Sequence, residues 1–194
     1  MLIDTLVESP WLVALTWAVL SIFDFSATML YSKAYRDFLS STVQYERGVE
    51  MNPLFEKDVK QLRWFSPRYF ILMLAVAVLI GLAGTWFPVK VFEMLAGTAI
   101  LLVLVIDLRH IENLSFVWFL KSDPRGFKGR IEQSYKLSQQ RVAVNAFNTA
   151  VLYLIVFLLT GRIFFIGGTL VSVLLAIRHF LLSRRKLPEK LSVD

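Results

Sequence analysis

Apolar residues in this chain are grouped into five long blocks separated by shorter polar stretches. The blocks cover residues 11–31, 69–87, 91–113, 142–160 and 163–182. Each is close to the ~20 residues that a helix needs to cross a hydrocarbon core about 30 Å thick. The pattern predicts an all-α fold, a polytopic integral membrane helix bundle with five transmembrane helices that form a single membrane domain over residues 1–194.

The composition agrees with a membrane protein. Hydrophobic residues make up 56% of the 194 residues, which is more than a soluble domain of this size carries. The chain has no cysteine, so disulfide scaffolds, thiolate metal sites and cysteine nucleophiles are excluded. The net charge of +6 would suggest nucleic acid as a partner of a soluble protein. In a membrane protein, excess Lys and Arg record topology instead, so no nucleic-acid partner is expected.

Lysine and arginine are concentrated at one end of the predicted bundle. The connections at 32–68 and 114–141 and the C-terminal tail are rich in both, whereas the opposite connections contain only Lys90 and Arg162. Four tryptophans flank the predicted spans, as an aromatic belt requires: Trp11, Trp64, Trp86 and Trp118. The positive-inside rule then predicts an external N-terminus and a cytoplasmic C-terminus, with anionic lipids beside the basic connections.

The connection after the first span predicts a short amphipathic helix over residues 53–65. Asn52 is a good N-cap, and Pro53 suits the first helical position. Apolar residues then recur at helical spacing between charged ones: Leu54, Phe55, Val59, Leu62 and Phe65. Such a helix is expected to lie on the cytoplasmic membrane surface with its apolar face toward lipid.

Two further patterns concern helix packing. The connections at 88–90 and 161–162 are very short, so spans two and three are expected to form one hairpin and spans four and five another. In span five, Gly168, Ser172 and Ala176 recur at a spacing of four residues. This stripe of small residues predicts the close approach of a neighbouring helix.

Polar residues within the spans converge on one layer near the predicted cytoplasmic face. At 1.5 Å per residue, Asp24 lies roughly 20 Å and Asp107 about 24 Å below the outer surface. Asn145 and Asn148 lie roughly 5–10 Å from the cytoplasmic surface on the same scale. A charge at mid-bilayer costs on the order of 2.5–3.5 kcal/mol, so such groups normally face a protein interior or a wet cavity. We therefore expect these residues and His110 to share one polar cavity.

The segments "DFSAT" in the first span and "EMNP" in the next connection resemble a known pattern, D-x-x-x-T followed by E-x-N-P. It is similar to that of small prokaryotic membrane proteins grouped as a domain of unknown function. The matching residues are Asp24, Thr28, Glu50, Asn52 and Pro53, and the resemblance covers about the first third of the chain. It implies a shared intramembrane feature and a prokaryotic cytoplasmic membrane, but no reaction.

The polar layer is compatible with two active functions. In one, it is the cation or proton site of a small transporter or channel, since intramembrane carboxylates and histidines mark such pathways. In the other, it binds a divalent metal ion that activates water against a lipid or a peptide, although no H-E-x-x-H motif occurs. The candidate ion ligands are Asp24, Glu50, Asp107 and His110. The supporting polar residues are Thr28, Asn52, Asn145 and Asn148.

A third class of function has no chemistry of its own. The chain would be a non-catalytic subunit or scaffold, alone or as a homo-oligomer, and its polar residues would hold the helices together. Asp24 would then form an ion pair, for example with Arg109 or Arg178. Because the two histidines, His110 and His179, lie at similar depth on different spans, axial haem ligation is a further option in this class.

Overall fold

The computed structural model describes residues 2–40, 42–45, 55–123 and 129–185. The helices in these ranges are α1 (Leu2–Glu8), α2 (Pro10–Ala34), α3 (Glu56–Lys60), α4 (Pro67–Trp86), α5 (Val89–Ser122), α6 (Tyr135–Thr160) and α7 (Ile163–Ser183). α2 runs directly into a π-helical segment, Tyr35–Leu39. Two short strands complete the description, β1 (Val43–Tyr45) and β2 (Ile131–Gln133).

Five of the helices, α2 with its extension and α4 to α7, are long and apolar enough to cross a membrane. This confirms the five predicted spans. Many large apolar side chains on these helices point outward; on α4, Ile71 is 70% exposed and Leu74 is 63% exposed. An apolar surface of this extent is unfavourable in water and suits contact with hydrocarbon. The chain is an integral membrane protein that contacts the lipid bilayer.

The third spanning helix is longer than predicted. α5 has 34 residues, which corresponds to about 51 Å and exceeds the thickness of the hydrocarbon core. The helix continues past residue 113 because no glycine or proline interrupts residues 98–123 and because its last turns are packed. Val117 is buried against Tyr31, Leu39 and Val43.

The fourth spanning helix begins at Tyr135 instead of at residue 142. Ser134 is its N-cap, and the hydroxyl oxygen of Ser134 accepts a hydrogen bond from the backbone N–H of Leu137 at 3.2 Å. Serine at this position satisfies one of the unpaired N–H groups of the first turn. The polar residues that follow Ser134 concealed the helix start from a reading based on apolar periodicity.

Each spanning helix packs against the next in the order α4, α2, α5, α7, α6. The predicted hairpin of the last two spans is confirmed as α6 and α7, with Gly161 in a left-handed conformation between them. The predicted hairpin of spans two and three is wrong, because α4 makes little contact with α5 and packs on α2 instead. Gly81 makes this packing possible, since a Cβ there would lie 2.5 Å from the ring of Trp11.

α5 and α7 approach each other at backbone distance. A Cβ on Gly97 would lie 1.8 Å from the carbonyl oxygen of Phe164, and one on Gly167 would lie 2.0 Å from that of Met94. Small residues are therefore required on both helices. The predicted stripe on span five is confirmed, because all of its members are buried in the bundle: Gly168, Ser172 and Ala176.

The bundle has two unlike ends. The short-loop end holds the connections Phe87–Pro88 and Gly161–Arg162, whereas the long-loop end holds the connections 35–66 and 123–134. At the long-loop end, β1 pairs in parallel with β2, with Val43 opposite Ile131. The phenol of Tyr35 donates a hydrogen bond to the carbonyl of Val43 at 3.0 Å. Strands of three residues are too short for alternation to predict them.

The predicted amphipathic helix is shorter in the structure. Helix α3 covers only Glu56–Lys60, and Leu62 adopts a positive φ of 50° shortly after its end. Val59 packs against Phe25 and Met29 of α2 in the protein interior, whereas the sequence places it toward lipid. Residues 53 and 54 lie outside the described ranges, and a location at the membrane surface stays a prediction.

Candidate functional site: an intramembrane polar cavity

The long-loop half of the bundle contains a cavity of about 550 Å³. All five spanning helices contribute to its wall, and residues next to α3 and at the end of β2 complete it. The charged and polar side chains in its wall include Asp24, Thr28, Arg109, His110, Asn145 and Arg178. The predicted convergence of polar groups from several spans is thus found for four of the predicted site residues: Asp24, Thr28, His110 and Asn145.

Asp24 and His110 meet in this cavity. Asp24 Oδ1 lies 3.0 Å from His110 Nε2, with the two side chains 26% and 12% exposed. Thr28 Oγ1 lies 3.2 Å from the same nitrogen. Thr28 is one turn beyond Asp24 on α2, so one face of this helix presents both oxygens to one imidazole nitrogen. The sequence named an arginine as the partner of Asp24 only for the scaffold, whereas the predicted shared cavity already contained His110, and the structure brings His110 to Asp24.

Asp107 lies one turn before His110 on α5 and is only 3% exposed. Neither of its carboxylate oxygens has a hydrogen-bond partner among the described residues. The carboxylates of Asp107 and Asp24 are close enough for their charges to interact. A buried carboxylate without a partner is costly in its ionised form, so Asp107 is suited to exchange a proton or to bind an ion.

Aromatic side chains fix α2 and α4 beside this pair. The ring of Tyr69 stacks on that of Phe25 with centroids 4.5 Å apart. Its hydroxyl donates a hydrogen bond to the backbone carbonyl of Ser21. Ser21, Asp24 and Thr28 are spaced three and four residues apart and form one polar stripe on α2. Phe55 packs edge-on against Tyr69 with centroids 5.3 Å apart. These contacts hold the turn of α2 that carries Asp24 against α4.

The remaining predicted residues divide into three groups. Asn145 is half-buried and lines both the main cavity and an adjoining cavity of about 340 Å³. Asn148 is exposed and lines the smaller cavity. Glu50 and Asn52 fall outside the described residues, so their roles stay predictions.

The structure adds one buried polar pair that the sequence reasoning missed. Nδ1 of His179 on α7 is hydrogen-bonded to the side-chain oxygen of Gln139 on α6. An amide oxygen only accepts, so this nitrogen donates. Gln139 is 1% exposed, and it continues the stripe of α6 alanines that is buried: Ala143, Ala146 and Ala150. A glutamine at the head of such a stripe is the signal that could have revealed the pair.

Metal binding receives no support from the described ranges. In them, no group of three histidine or acidic side chains is arranged to hold a metal ion. Of the predicted ion ligands, Asp24 and His110 are in contact, and Asp107 is buried nearby. His110 Nε2 faces Asp24 and Thr28, while Nδ1 of His179 is bound to Gln139. Each predicted axial haem ligand therefore already uses one ring nitrogen.

The short-loop half is built differently. Its core is apolar and includes Val13, Phe92, Ile100 and Phe164. Arg162 forms an ion pair with Asp4 of α1, and this hydrogen bond raises the pKa of Arg162 above its ordinary value. Arg162 and Asp4 are thus matched at this end, and the core between it and the cavity is filled with hydrocarbon side chains.

Glu93 joins two helices at the short-loop end. It is buried on α5, and its Oε1 accepts a hydrogen bond from the backbone N–H of Phe164 at 3.4 Å. Arg162 Nη1 lies 4.0 Å from the same oxygen. A carboxylate at the N-terminus of α7 satisfies an unpaired N–H group and interacts favourably with the helix dipole.

Comparison with protein-family models, with curated proteins and with solved structures finds no match for this chain. The resemblance to the prokaryotic family therefore stays a prediction. In the described residues it rests on Asp24 and Thr28, which both contact His110. The functional argument depends on the geometry of the cavity.

Proposed function

We propose that the protein is a small proton-coupled membrane transporter whose proton-binding site is the Asp24–His110 pair. The observation that carries the proposal is the 3.0 Å contact between Asp24 Oδ1 and His110 Nε2 at the wall of an intramembrane cavity. Intramembrane carboxylates and histidines that face a cavity mark proton and ion pathways. The buried Asp107, one turn away on the same helix, offers a second group for proton exchange.

The pair has room to change its protonation state. His110 Nδ1 is buried and has no hydrogen-bond partner among the described residues, while Nε2 faces Asp24 and Thr28. Protonation of Nδ1 gives an imidazolium beside the Asp24 carboxylate, which is a matched pair. When that proton is lost, the Asp24 carboxylate faces a neutral imidazole and no longer has a cationic partner in His110. The site thus couples proton binding to the packing of α2 against α5.

The apolar core of the short-loop half makes an open pore unfavourable. We therefore propose a carrier that alternates between two states, one of which has its cavity in the long-loop half. Transport then requires the core around Val13, Phe92 and Phe164 to loosen. Rigid-body movement of helices about a central site is the usual form of such a change.

We further propose that the long-loop end faces the cytoplasm, as the distribution of Lys and Arg indicates. Single cysteines at Ser9 and Ser40 test this, since both residues are exposed at opposite ends of α2 and the chain has no other cysteine. In intact cells, an impermeant thiol reagent should label the variant at residue 9 and spare the variant at residue 40. The reverse pattern would contradict the orientation.

Proton movement is tested in proteoliposomes that contain a pH-sensitive dye and receive an external acid pulse. The wild type should acidify the lumen faster than protein-free vesicles, and Asp24→Asn should remove the difference. The matched control is Glu132→Gln, which neutralises an exposed carboxylate outside the cavity lining that is paired with Arg130 at 3.4 Å. This control should keep the wild-type rate, because exposed ion pairs contribute little.

A second candidate, a non-catalytic subunit or scaffold, is favoured by the same apolar core. In that case the polar groups only hold α2, α5 and α7 together, and no path across the membrane opens. Wild-type protein that leaves the dye signal at the level of protein-free vesicles would reject the transporter and support this candidate. Loss of flux in both Asp24→Asn and Glu132→Gln would also count against a specific proton site.

A further inference from the structure

The charged residues that line the cavity have a net positive charge. Three arginines and two carboxylates line its described wall: Arg109, Arg141, Arg178, Asp24 and Glu112. The two carboxylates are engaged within the wall, Asp24 with His110 and Glu112 with Arg141. Arg109 and Arg178 both lie near enough for their charges to act on the buried ring of His179. Positive charge is thus gathered where α5 and α7 face each other.

A second cavity extends the first toward the lipid-facing surface. It has a volume of about 340 Å³ and shares Ile106, Arg109 and Leu175 with the main cavity. Its wall reaches Leu108, which is 62% exposed on the outside of α5. Because α5 and α6 both pack on α7, the space between them forms a furrow over Leu175. The furrow connects the polar chamber with the hydrocarbon region.

From this juxtaposition we infer that the protein binds a phosphate-bearing anionic lipid, with the phosphate beside Arg109 and Arg178 and an acyl chain in the furrow. Guanidinium groups form paired, charge-assisted hydrogen bonds with phosphate oxygens. Basic pockets between transmembrane helices are a known place for lipid headgroups. A chamber of about 550 Å³ is also within the range of small-molecule sites.

The neutral lining matches the rest of a headgroup. Ser138 and Asn145 of α6 line the same chamber, and their hydroxyl and amide groups can bond to glycerol or ester oxygens. The furrow wall has a mixed lining, with Asn148 and Thr149 beside a run of apolar residues: Val105, Ile106, Leu108, Val142, Ala146 and Leu175. Free phosphate shares the chemistry of the headgroup but gains nothing from these apolar residues, which is why we assign the site to a lipid. This site uses residues other than Asp24 and His110, so it stands whether or not the chain transports protons.

Lipid retention by the purified, full-length protein tests the inference. Protein in detergent is titrated separately with phosphatidylglycerol, phosphatidylcholine and inorganic phosphate. Binding is read as adducts in native mass spectrometry and as a rise in the thermal unfolding midpoint. Wild type should retain phosphatidylglycerol in preference to phosphatidylcholine, and inorganic phosphate should raise the midpoint far less than phosphatidylglycerol does.

Two arginine variants on α7 locate the site. Arg178→Gln should weaken phosphatidylglycerol binding about tenfold, the effect of one charge-assisted hydrogen bond. Arg184→Gln is the matched control, because Arg184 lies at the end of the same helix and packs over the ring of Phe180 at 4.5 Å. Arg178 is exposed, so both variants should unfold at the wild-type midpoint without lipid.

Three results would overturn the inference. Equal retention of phosphatidylglycerol and phosphatidylcholine would reject recognition of the anionic headgroup. Equal protection by inorganic phosphate and phosphatidylglycerol would assign the chamber to free phosphate and reject the role of the furrow. Equal weakening by Arg178→Gln and Arg184→Gln would mean that surface charge attracts the lipid and that the chamber does not.

Discussion

The two halves of this bundle handle polar groups in opposite ways. In the short-loop half, Glu93 accepts a hydrogen bond from the N-terminus of α7, and Asp4 pairs with Arg162. In the long-loop half, both carboxylate oxygens of Asp107, the hydroxyl oxygen of Ser32 and Nδ1 of His110 are buried without hydrogen-bond partners among the described residues. Oδ1 of Asp24 lies 3.0 Å from His110 Nε2 but also makes no hydrogen bond there. Native proteins pair nearly all buried polar groups, and exceptions concentrate at functional sites.

Backbone packing differs in the same sense. Glycines at 97 and 167 bring α5 and α7 together at the short-loop end, where a side chain on either would meet a carbonyl oxygen. Further along the same helices, the space between α5, α6 and α7 opens into two cavities. One pair of helices is therefore locked at one end and separated at the other. The close backbone contact at the short-loop end stabilises the pair, and the separated segments further along the same helices leave room for a ligand.

The largest expected effect comes from a substitution in the backbone contact between α5 and α7 at the short-loop end. Gly97→Leu should destabilise the protein by about 3 kcal/mol or more, since the new Cβ meets the backbone of Phe164 and cannot be relieved by a rotamer change. The control is Ala75→Leu, which places the same leucine side chain at an exposed position on α4 and should stay within about 0.5 kcal/mol. Denaturant unfolding in detergent gives both values. Equal stability of the two variants would mean that α5 and α7 are not in backbone contact.

The second test concerns the Asp24–His110 contact in the long-loop half. His110→Leu keeps the side-chain volume but leaves the Asp24 carboxylate without its imidazole, and it should cost about 3 kcal/mol. Adding Asp24→Asn removes the stranded charge and should restore much of the loss. A double-mutant cycle from unfolding free energies measures this coupling. Additive losses would show that the two side chains do not interact.

The smallest expected effect concerns the contact in the short-loop half between Glu93 and the N-terminus of α7. Glu93→Ala removes the acceptor for the N–H of Phe164, so it should cost about 1 kcal/mol. Glu112→Ala is the comparison, because its pair with Arg141 is exposed on both sides, and its cost should be about 0.5 kcal/mol or less. Thermal unfolding of both variants checks the order. A larger loss for Glu112→Ala would reverse the roles assigned to the two ends.

Patterns that depend on one helix at a time were predictable from the sequence. The five spans, the small-residue stripe on α7 and the polar stripe of Asp24 and Thr28 on α2 follow from length and helical periodicity alone. Features that depend on which helices become neighbours were predictable only for the α6–α7 hairpin, which a two-residue connection enforces. α4 packs on α2 and makes little contact with its sequence neighbour α5, because Gly81 and Gly84 of α4 leave room for Trp11 and Pro10 of α2. No pattern within one helix predicts such a match.

The polar layer illustrates the same limit. Depth along each helix placed Asp24, Asp107 and His110 at one level, but rotation about the helix axes decides which pairs touch. It was this rotation that selected His110 over the arginines as the contact of Asp24. It also placed Arg178 and Gln139 in the wall of the cavity. The sequence named Arg178 only as an optional partner of Asp24. It gave no role to Gln139, which lies in the polar turns that precede residue 142.

The pairing of β1 with β2 constrains how the chain is made. Gln44 and Arg130, which contact each other across this pairing, are 86 residues apart. The first long connection emerges from the ribosome well before its partner strand, since α4 and α5 are synthesised in between. Contacts between such distant residues form late, because the intervening chain must first be closed into a loop. The part of the cavity wall at the end of β2 is therefore completed only after most of the protein has entered the membrane. A truncated chain that ends before β2 inserts its first three spans without this part of the wall.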